Sequence, residues 1–245
     1  MNASNKQALL GVNTNYKTIK SKKVGVLTGI LYMAPYTLSG KNVCPNASAG
    51  CAAACLNTAG RGAMKSVKRA RLKKTNRFWD DRGQFLQDLA EEVGKLQRRA
   101  EAIGMLAAVR LNGTSDLPYE RYKVPGTDKN IMELFPDVQF YDYTKLENRF
   151  IGKKLPANYH LTFSRAEDND HKLAAVLEYT SASVVFSGKL PATWRGYPVI
   201  DGDEHDARFT DAGPGTIIGL TAKGKARHDG SGFVVPSCGT DSTWN

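Results

Sequence analysis

The sequence predicts an α/β protein built as a (β/α) TIM-like barrel, irregular or incompletely closed, with a cysteine-rich loop after its first strand. Three observations predict it: seven or eight short apolar runs, helical patterns between several of them, and polar residues immediately after the runs. At 245 residues the chain accommodates one large domain over 1–245. Hydrophobic residues at 41% and charged residues at 24% are globular proportions and exclude a disordered chain.

The first strand is expected over Val24 to Met33 (VGVLTGILYM), a β-rich run broken by Gly29 and closed by Ala34-Pro35. The cysteine loop follows at once. Two helices are expected next, Gly62 to Asp80 and Gly83 to Ile103. The second has Phe85, Leu86, Leu89, Val93 and Leu96 at helical spacing, and Gly104 reads as its stop signal.

Further strands are expected at Met105 to Leu111, Val138 to Tyr143, Tyr159 to Phe163, Ser183 to Phe186, Tyr197 to Ile200 and Thr216 to Leu220, with Gly232 to Val235 a candidate eighth. Lys129 to Phe135 and Asn169 to Tyr179 suit connecting helices. The runs end in polar clusters: Asn112 to Asp116, Thr144-Lys145, Ser164-Arg165, Ser187-Gly188, Asp201 to Asp206 and Lys223 to Arg227. In a parallel barrel these ends meet on one face, where barrel enzymes keep their chemistry.

Cys44, Cys51 and Cys55 fall within twelve positions, separated by small residues, in a chain with too few cysteines for a disulfide scaffold. A loop of this composition can wrap a [4Fe-4S] cluster and donate backbone N–H groups to its sulfides. Zinc would be expected on paired Cys-x2-Cys or His-x3-5-His knuckles, which are missing here, and three inert buried thiols are the plain alternative. Cys238 is the expected fourth ligand, because in a closed barrel the last strand neighbours the first. A fourth cysteine would restrict the cluster to electron transfer or structure, whereas three leave one iron open.

The formal net charge of +10 suits a polyanionic partner. Lys65, Lys68, Arg69, Arg71, Lys73, Lys74 and Arg77 crowd together, either as a nucleic-acid-binding segment or as a solvated helix face. The start, MNASNKQALLGVNTNYK, lacks a basic segment followed by an apolar core, and no run is long enough to span a membrane. The expectation is a soluble, cytoplasmic protein without a membrane partner.

Six blocks together resemble a phage family called gene product 88: GILYMAPYTLSGKNVCPNASAGCAAACLNTAGRG (29–62), AVRLNGTSD (108–116), FPDVQFYDYTK (135–145), NYHLTFSR (158–165), YPVIDGDEHD (197–206) and IIGLTAKGKAR (217–227). That family is distantly similar to radical S-adenosylmethionine enzymes, which place a cysteine loop after the first strand of a partial barrel. Those enzymes use Cys-x3-Cys-x2-Cys, whereas this chain has Cys-x6-Cys-x3-Cys. The resemblance implies a cytoplasmic protein of the infected host cell: a barrel iron–sulfur oxidoreductase carrying a flavin, FMN or FAD, with an unidentified electron donor and acceptor. Two alternatives stay open, a radical S-adenosylmethionine enzyme and a nucleic-acid-binding protein with a structural cluster.

For a flavin, Lys223, Lys225 and Arg227 would supply the phosphate site, and Arg110, Asn112 and Ser115, beside Thr114 and Asp116, would face the ring. An exposed loop and an Asn-Gly turn are the plain readings of these stretches. Asp203 and His205, within Asp201 to Asp206, form the best acid/base pair. A hydrogen-bonded turn satisfied by backbone, Arg165 or Arg208 is the alternative. Tyr141, Tyr143, Phe163 and Trp194 suit stacking on a planar cofactor or an ordinary core.

Overall fold

Runs rich in β-branched and aromatic residues become strands, and each apolar run singled out above overlaps one. The computed structural model describes residues 7–14, 16–151 and 155–237. Its strands are β1 (Leu10–Val12), β2 (Val26–Leu31), β3 (Leu106–Arg110), β4 (Gln139–Thr144), β5 (Tyr159–Ser164), β6 (Ala182–Phe186), β7 (Thr193–Trp194), β8 (Tyr197–Asp201), β9 (Ile217–Thr221) and β10 (Val234–Val235). The α-helices are α1 (Tyr16–Ser21), α2 (Ala49–Ala53), α3 (Lys65–Asp80), α4 (Arg82–Glu101), α5 (Ile131–Leu134) and α6 (Leu173–Leu177).

Asp81 starts α4 by accepting a hydrogen bond from the Gln84 N–H at 2.9 Å, and Gly104, at φ +62°, ends the turn after it. Between them Phe85, Leu86, Leu89, Val93, Leu96 and Ala100 are buried on one stripe. The stripe packs on β2 and β3, where Gly29 lets Leu96 approach: a Cβ at position 29 would lie 3.0 Å from its side chain. Each large side chain buried there contributes about 1.5–3 kcal/mol.

All ten strands belong to one mixed sheet, in the order β1-β2-β3-β4-β5-β6-β9-β8-β7, with β10 added beside β6. From β2 to β8 neighbouring strands are parallel, while β1 and β7 pair antiparallel with β2 and β8. The expected α/β class holds: the strands form one mixed sheet whose pairing does not close among the described residues, so a complete (β/α) barrel is not confirmed. The sheet's two ends are occupied by antiparallel strands, which cap the parallel ladder instead of joining it. The segment after β8 reaches across to the other end: Asp206 N–H donates to Ser21 Oγ at 3.3 Å, and the Asp206 carboxylate meets Arg110 at 3.2 Å.

The eighth run exists as β10, but not beside the first strand. β5 and β6 share only two registered pairs, Phe163 with Ala182 and Ser164 with Ser183. Beyond them β10 takes over, pairing Val234 with Val185 and Val235 with Phe186. Arg165 sits at this split and donates to the carbonyls of Gly232 and Phe233 at 2.5 and 3.1 Å.

Strand alternation gives the sheet two chemically different faces. Phe140, Tyr159, Leu161, Phe163, Val184 and Ile217 point into the helix-covered core. Arg110, Tyr141, Tyr143, His160, Thr162 and Ser164 alternate with the core residues of their strands and so lie on the opposite, inner face. Ala207 and Phe209 pack there against Val26, Ala108 and Tyr141.

Candidate functional site

The loop from Tyr32 to Met64 covers the end of the sheet where the parallel strands finish. Within it Ser48 caps the short helix α2, its Oγ accepting from the Cys51 N–H at 3.0 Å and donating to Glu167 Oε2 at 2.8 Å. Glu167 Oε1 accepts from the Gly50 N–H at 2.7 Å. Glycine is required at position 50, since a Cβ there would collide with Ser231 Oγ, Glu167 Oε1 and Phe233 Cβ. Ala54 completes the seat by packing with Ala222 and Ala226.

Three thiols lie on this anchored loop. Cys44, Cys51 and Cys55 are unpaired and partly buried. Burial pushes the Cys44 thiol up to about 12, a hydrogen bond from the Tyr36 N–H opposes the rise, and Cys55, Cys51 and Asp116 add to it. Cys55 is likewise raised by burial, lowered by the Asn57 N–H, raised by Cys51, and lowered by Arg71 and Lys145. Each thiol thus lies within electrostatic reach of the others, with backbone donors on two sulfurs and two cations beside Cys55. Among the described residues no group of three or more His, Cys, Asp or Glu converges as donors to one metal ion. Cys238 lies outside the described residues. Ser237 Oγ accepts from the Gly188 N–H at 2.8 Å, just beyond β6.

Arg71 leaves the basic run to serve this loop. It is buried, donates to Asn57 Oδ1 at 2.8 Å and stacks 4.8 Å from the Tyr32 ring, while its Nε has no partner among the described residues. Lys74 and Arg77 bind the carbonyls of Leu9 and Gln7. Lys65, Lys68, Arg69 and Lys73 alone remain exposed, on the outside of α3.

The proposed acid/base and flavin contacts do not converge on one point. Lys223 and Asp203 find each other in an ion pair at 2.7 Å, and Asp203 also accepts from the Thr221 N–H. His205 lies beside Arg208 and 3.8 Å from Asp211. Asn112 is spent inside its own turn, accepting from Ser115 Oγ and the Leu117 N–H and donating to Asp142. Arg110 is held by Asp206 and stacks 4.5 Å from Tyr143. Arg227 Nε donates to the Ala222 carbonyl at 3.5 Å, and a Cβ at Gly224 would meet Ala59 at 2.9 Å, so the 223–227 turn buttresses the cysteine loop. Lys225 is exposed and lines a groove of about 560 Å³ with Gly50, His228 and Ser231.

Tyr141 is buried core, its hydroxyl donating to Asp206 at 2.8 Å, and Phe163 and Trp194 are core as well. Three contributors escape the sequence pattern. Glu167 is one of several acidic residues after Arg165, Lys145 is an ordinary cation at a strand end, and His160 alternates on a strand. Only the strand-end position of the first two marked them.

The Gene product 88 family model matches residues 5–237, whereas no curated protein and no solved structure matches the chain significantly. The match takes in all three clustered cysteines, the inner face and the β10 segment, and the chain belongs to the Gene product 88 family.

Proposed function

We propose that the chain is a redox protein holding a [4Fe-4S] cluster on Cys44, Cys51 and Cys55, with Cys238 as fourth ligand. The observation that carries this reading is the presence of three electrostatically coupled thiols in one loop anchored by Ser48, Gly50 and Glu167. Thiolates on one zinc, each at about 2.3 Å, would crowd within about 4 Å of one another. A cubane binds its thiolates on separate irons and tolerates wider spacing. Arg71 and Lys145 suit the negative charge of a thiolate-bound cluster, and the N–H groups of Tyr36 and Asn57 suit its sulfurs. The cluster would supply one-electron transfer.

The flavin belongs to this proposal, with Arg110, Asn112, Ser115, Lys223, Lys225 and Arg227 as its candidate contacts; Arg110, Asn112, Ser115, Lys223 and Arg227 also bond within the fold.

A second reading is favoured by one observation: the polar inner face of β3 to β6 lies next to the cysteine loop, with Lys145 between them. An open iron held by three cysteines would then serve S-adenosylmethionine chemistry.

Visible absorption, iron and acid-labile sulfide of anaerobically purified protein test the cluster, and the supernatant after denaturation tests the flavin. A broad cluster band lost in Cys44→Ser, Cys51→Ser and Cys55→Ser is expected. Loss in Cys238→Ser also supports four ligands, whereas a cluster retained in that variant supports the open-iron reading. Colourless protein from iron-replete cells overturns both.

A further inference from the structure

The inner face carries polar side chains that cluster binding leaves unexplained. Strand register places Tyr143 beside Thr162, Tyr141 beside His160 and Ser164 beside Ser183, so hydroxyls run in rows across β4, β5 and β6. The core-facing residues of these strands are buried, whereas Arg110, Tyr143, His160 and Ser164 keep partial exposure on the inner side. Ser181 Oγ and Thr28 Oγ1 are buried without a hydrogen-bond partner among the described residues.

Lys145 reaches into this face from the end of β4. Its ammonium donates to Ser164 Oγ at 2.9 Å and lies 5.6 Å from the Phe233 ring. It makes no ion pair among the described residues: Asp116 accepts from the Lys145 backbone N–H and pairs with Arg149. Asp206, the carboxylate of the inner face, is already taken by Arg110 and the Tyr141 hydroxyl. A half-buried cation facing hydroxyls, whose acid within electrostatic reach, Asp116, is itself paired with Arg149, is chemically complementary to an incoming oxyanion.

We infer that the inner face of β3 to β6 binds a small molecule bearing a carboxylate or phosphate, with Lys145 on the anionic group and Ser164 as hydroxyl partner. Arg110 and Tyr143 form the wall beside it. His160, kept neutral because burial and then Arg208 lower it to about 4, offers an uncharged ring nitrogen to the same ligand. This site goes beyond the cluster reading and does not require it.

Calorimetric titration of the full chain with inorganic phosphate, succinate and, as a neutral control, glycerol tests the inference. Saturable binding of phosphate or succinate but not glycerol is expected, and the preferred anion identifies the source. Lys145→Met should weaken it about tenfold or more, as loss of a charge-assisted contact implies. Ser164→Ala should weaken it less, and Lys129→Met, an exposed lysine before α5, should leave it unchanged. Circular dichroism and unfolding midpoints verify that each variant is folded. Absence of saturable anion binding, or equal loss in Lys129→Met, overturns the inference. The visible band recorded on the same samples keeps its failure distinct from failure of the cluster reading.

Discussion

Glu167 and Gly50 meet across a 2.7 Å hydrogen bond that ties the end of β5 to the helix carrying Cys51. The same carboxylate accepts from Ser48 Oγ, so one side chain fixes both the cap and the first turn of α2. Glu167→Ala should destabilise the chain by about 2–3 kcal/mol, the scale of lost hydrogen bonds to a charged group. Its iron content per chain should also drop, and urea unfolding with iron analysis measures both. Wild-type iron content together with wild-type stability would show that the loop is held by other contacts.

Arg149 is a buried cation held among carboxylates, with Glu120 at 2.8 Å, Asp116 at 3.4 Å and the Tyr159 hydroxyl at 3.1 Å. Removing it in Arg149→Met strands two acids beneath the 112–116 turn. Unfolding in urea should reveal a loss of about 3–5 kcal/mol, as for other broken buried pairs.

His160 gives the stability a pH dependence of definite sign. Burial and Arg208 lower its folded value to about 4, below the ordinary 6.5, so between those values the unfolded chain binds a proton that the folded chain does not. Stability must therefore fall as pH drops through that window. His160→Asn should flatten the fall by about 1–3 kcal/mol, compared as unfolding free energies at pH 7 and pH 4.5.

Thiols raised as Cys44 and Cys55 are stay protonated near neutrality, so a thiophilic metal that bound them would displace their protons. Titrating metal-free chain with cadmium in weakly buffered solution at pH 7.5 should release about one proton per thiol engaged. An indicator dye reads the release, and triple substitution of Cys44, Cys51 and Cys55 to Ser should abolish it.

The exposed quartet Lys65, Lys68, Arg69 and Lys73 gives the polyanion proposal a defined surface. If nucleic acid binds there, affinity should fall steeply with salt, and replacing the four with Gln should reduce the slope by up to about 3–4. Arg71→Gln should instead damage the cysteine loop, because Arg71 holds Asn57. Fluorescence anisotropy with labelled single- and double-stranded oligonucleotides separates these outcomes.

How far the sequence could be read depended on the distance over which each feature is decided. Val26–Leu31 and Tyr159–Ser164 are legible because β-branched and aromatic residues cluster locally and turn residues flank them. β1 and β7, three and two residues long, carry no such local signal and exist through pairing with β2 and β8. The cysteine loop stood out by spacing alone. Its anchor did not, since Glu167 is 117 positions from Gly50. The basic run divided for the same reason: Arg71, Lys74 and Arg77 find partners at Asn57, Leu9 and Gln7, which helix periodicity cannot reveal.

The late insertion of β10 beside β6 bears on the order of events during synthesis. Gly50 is pressed against Ser231 and Phe233, so the wall behind α2 is made of residues translated long after the cysteines have left the ribosome. Until that wall arrives, the thiols hang on a loop supported from one side, exposed to oxidants and stray metals. On the cluster reading, loading of the finished site would follow translation, and truncation just before Gly230 should cost the cysteines their shelter even though every one of the clustered three is still present.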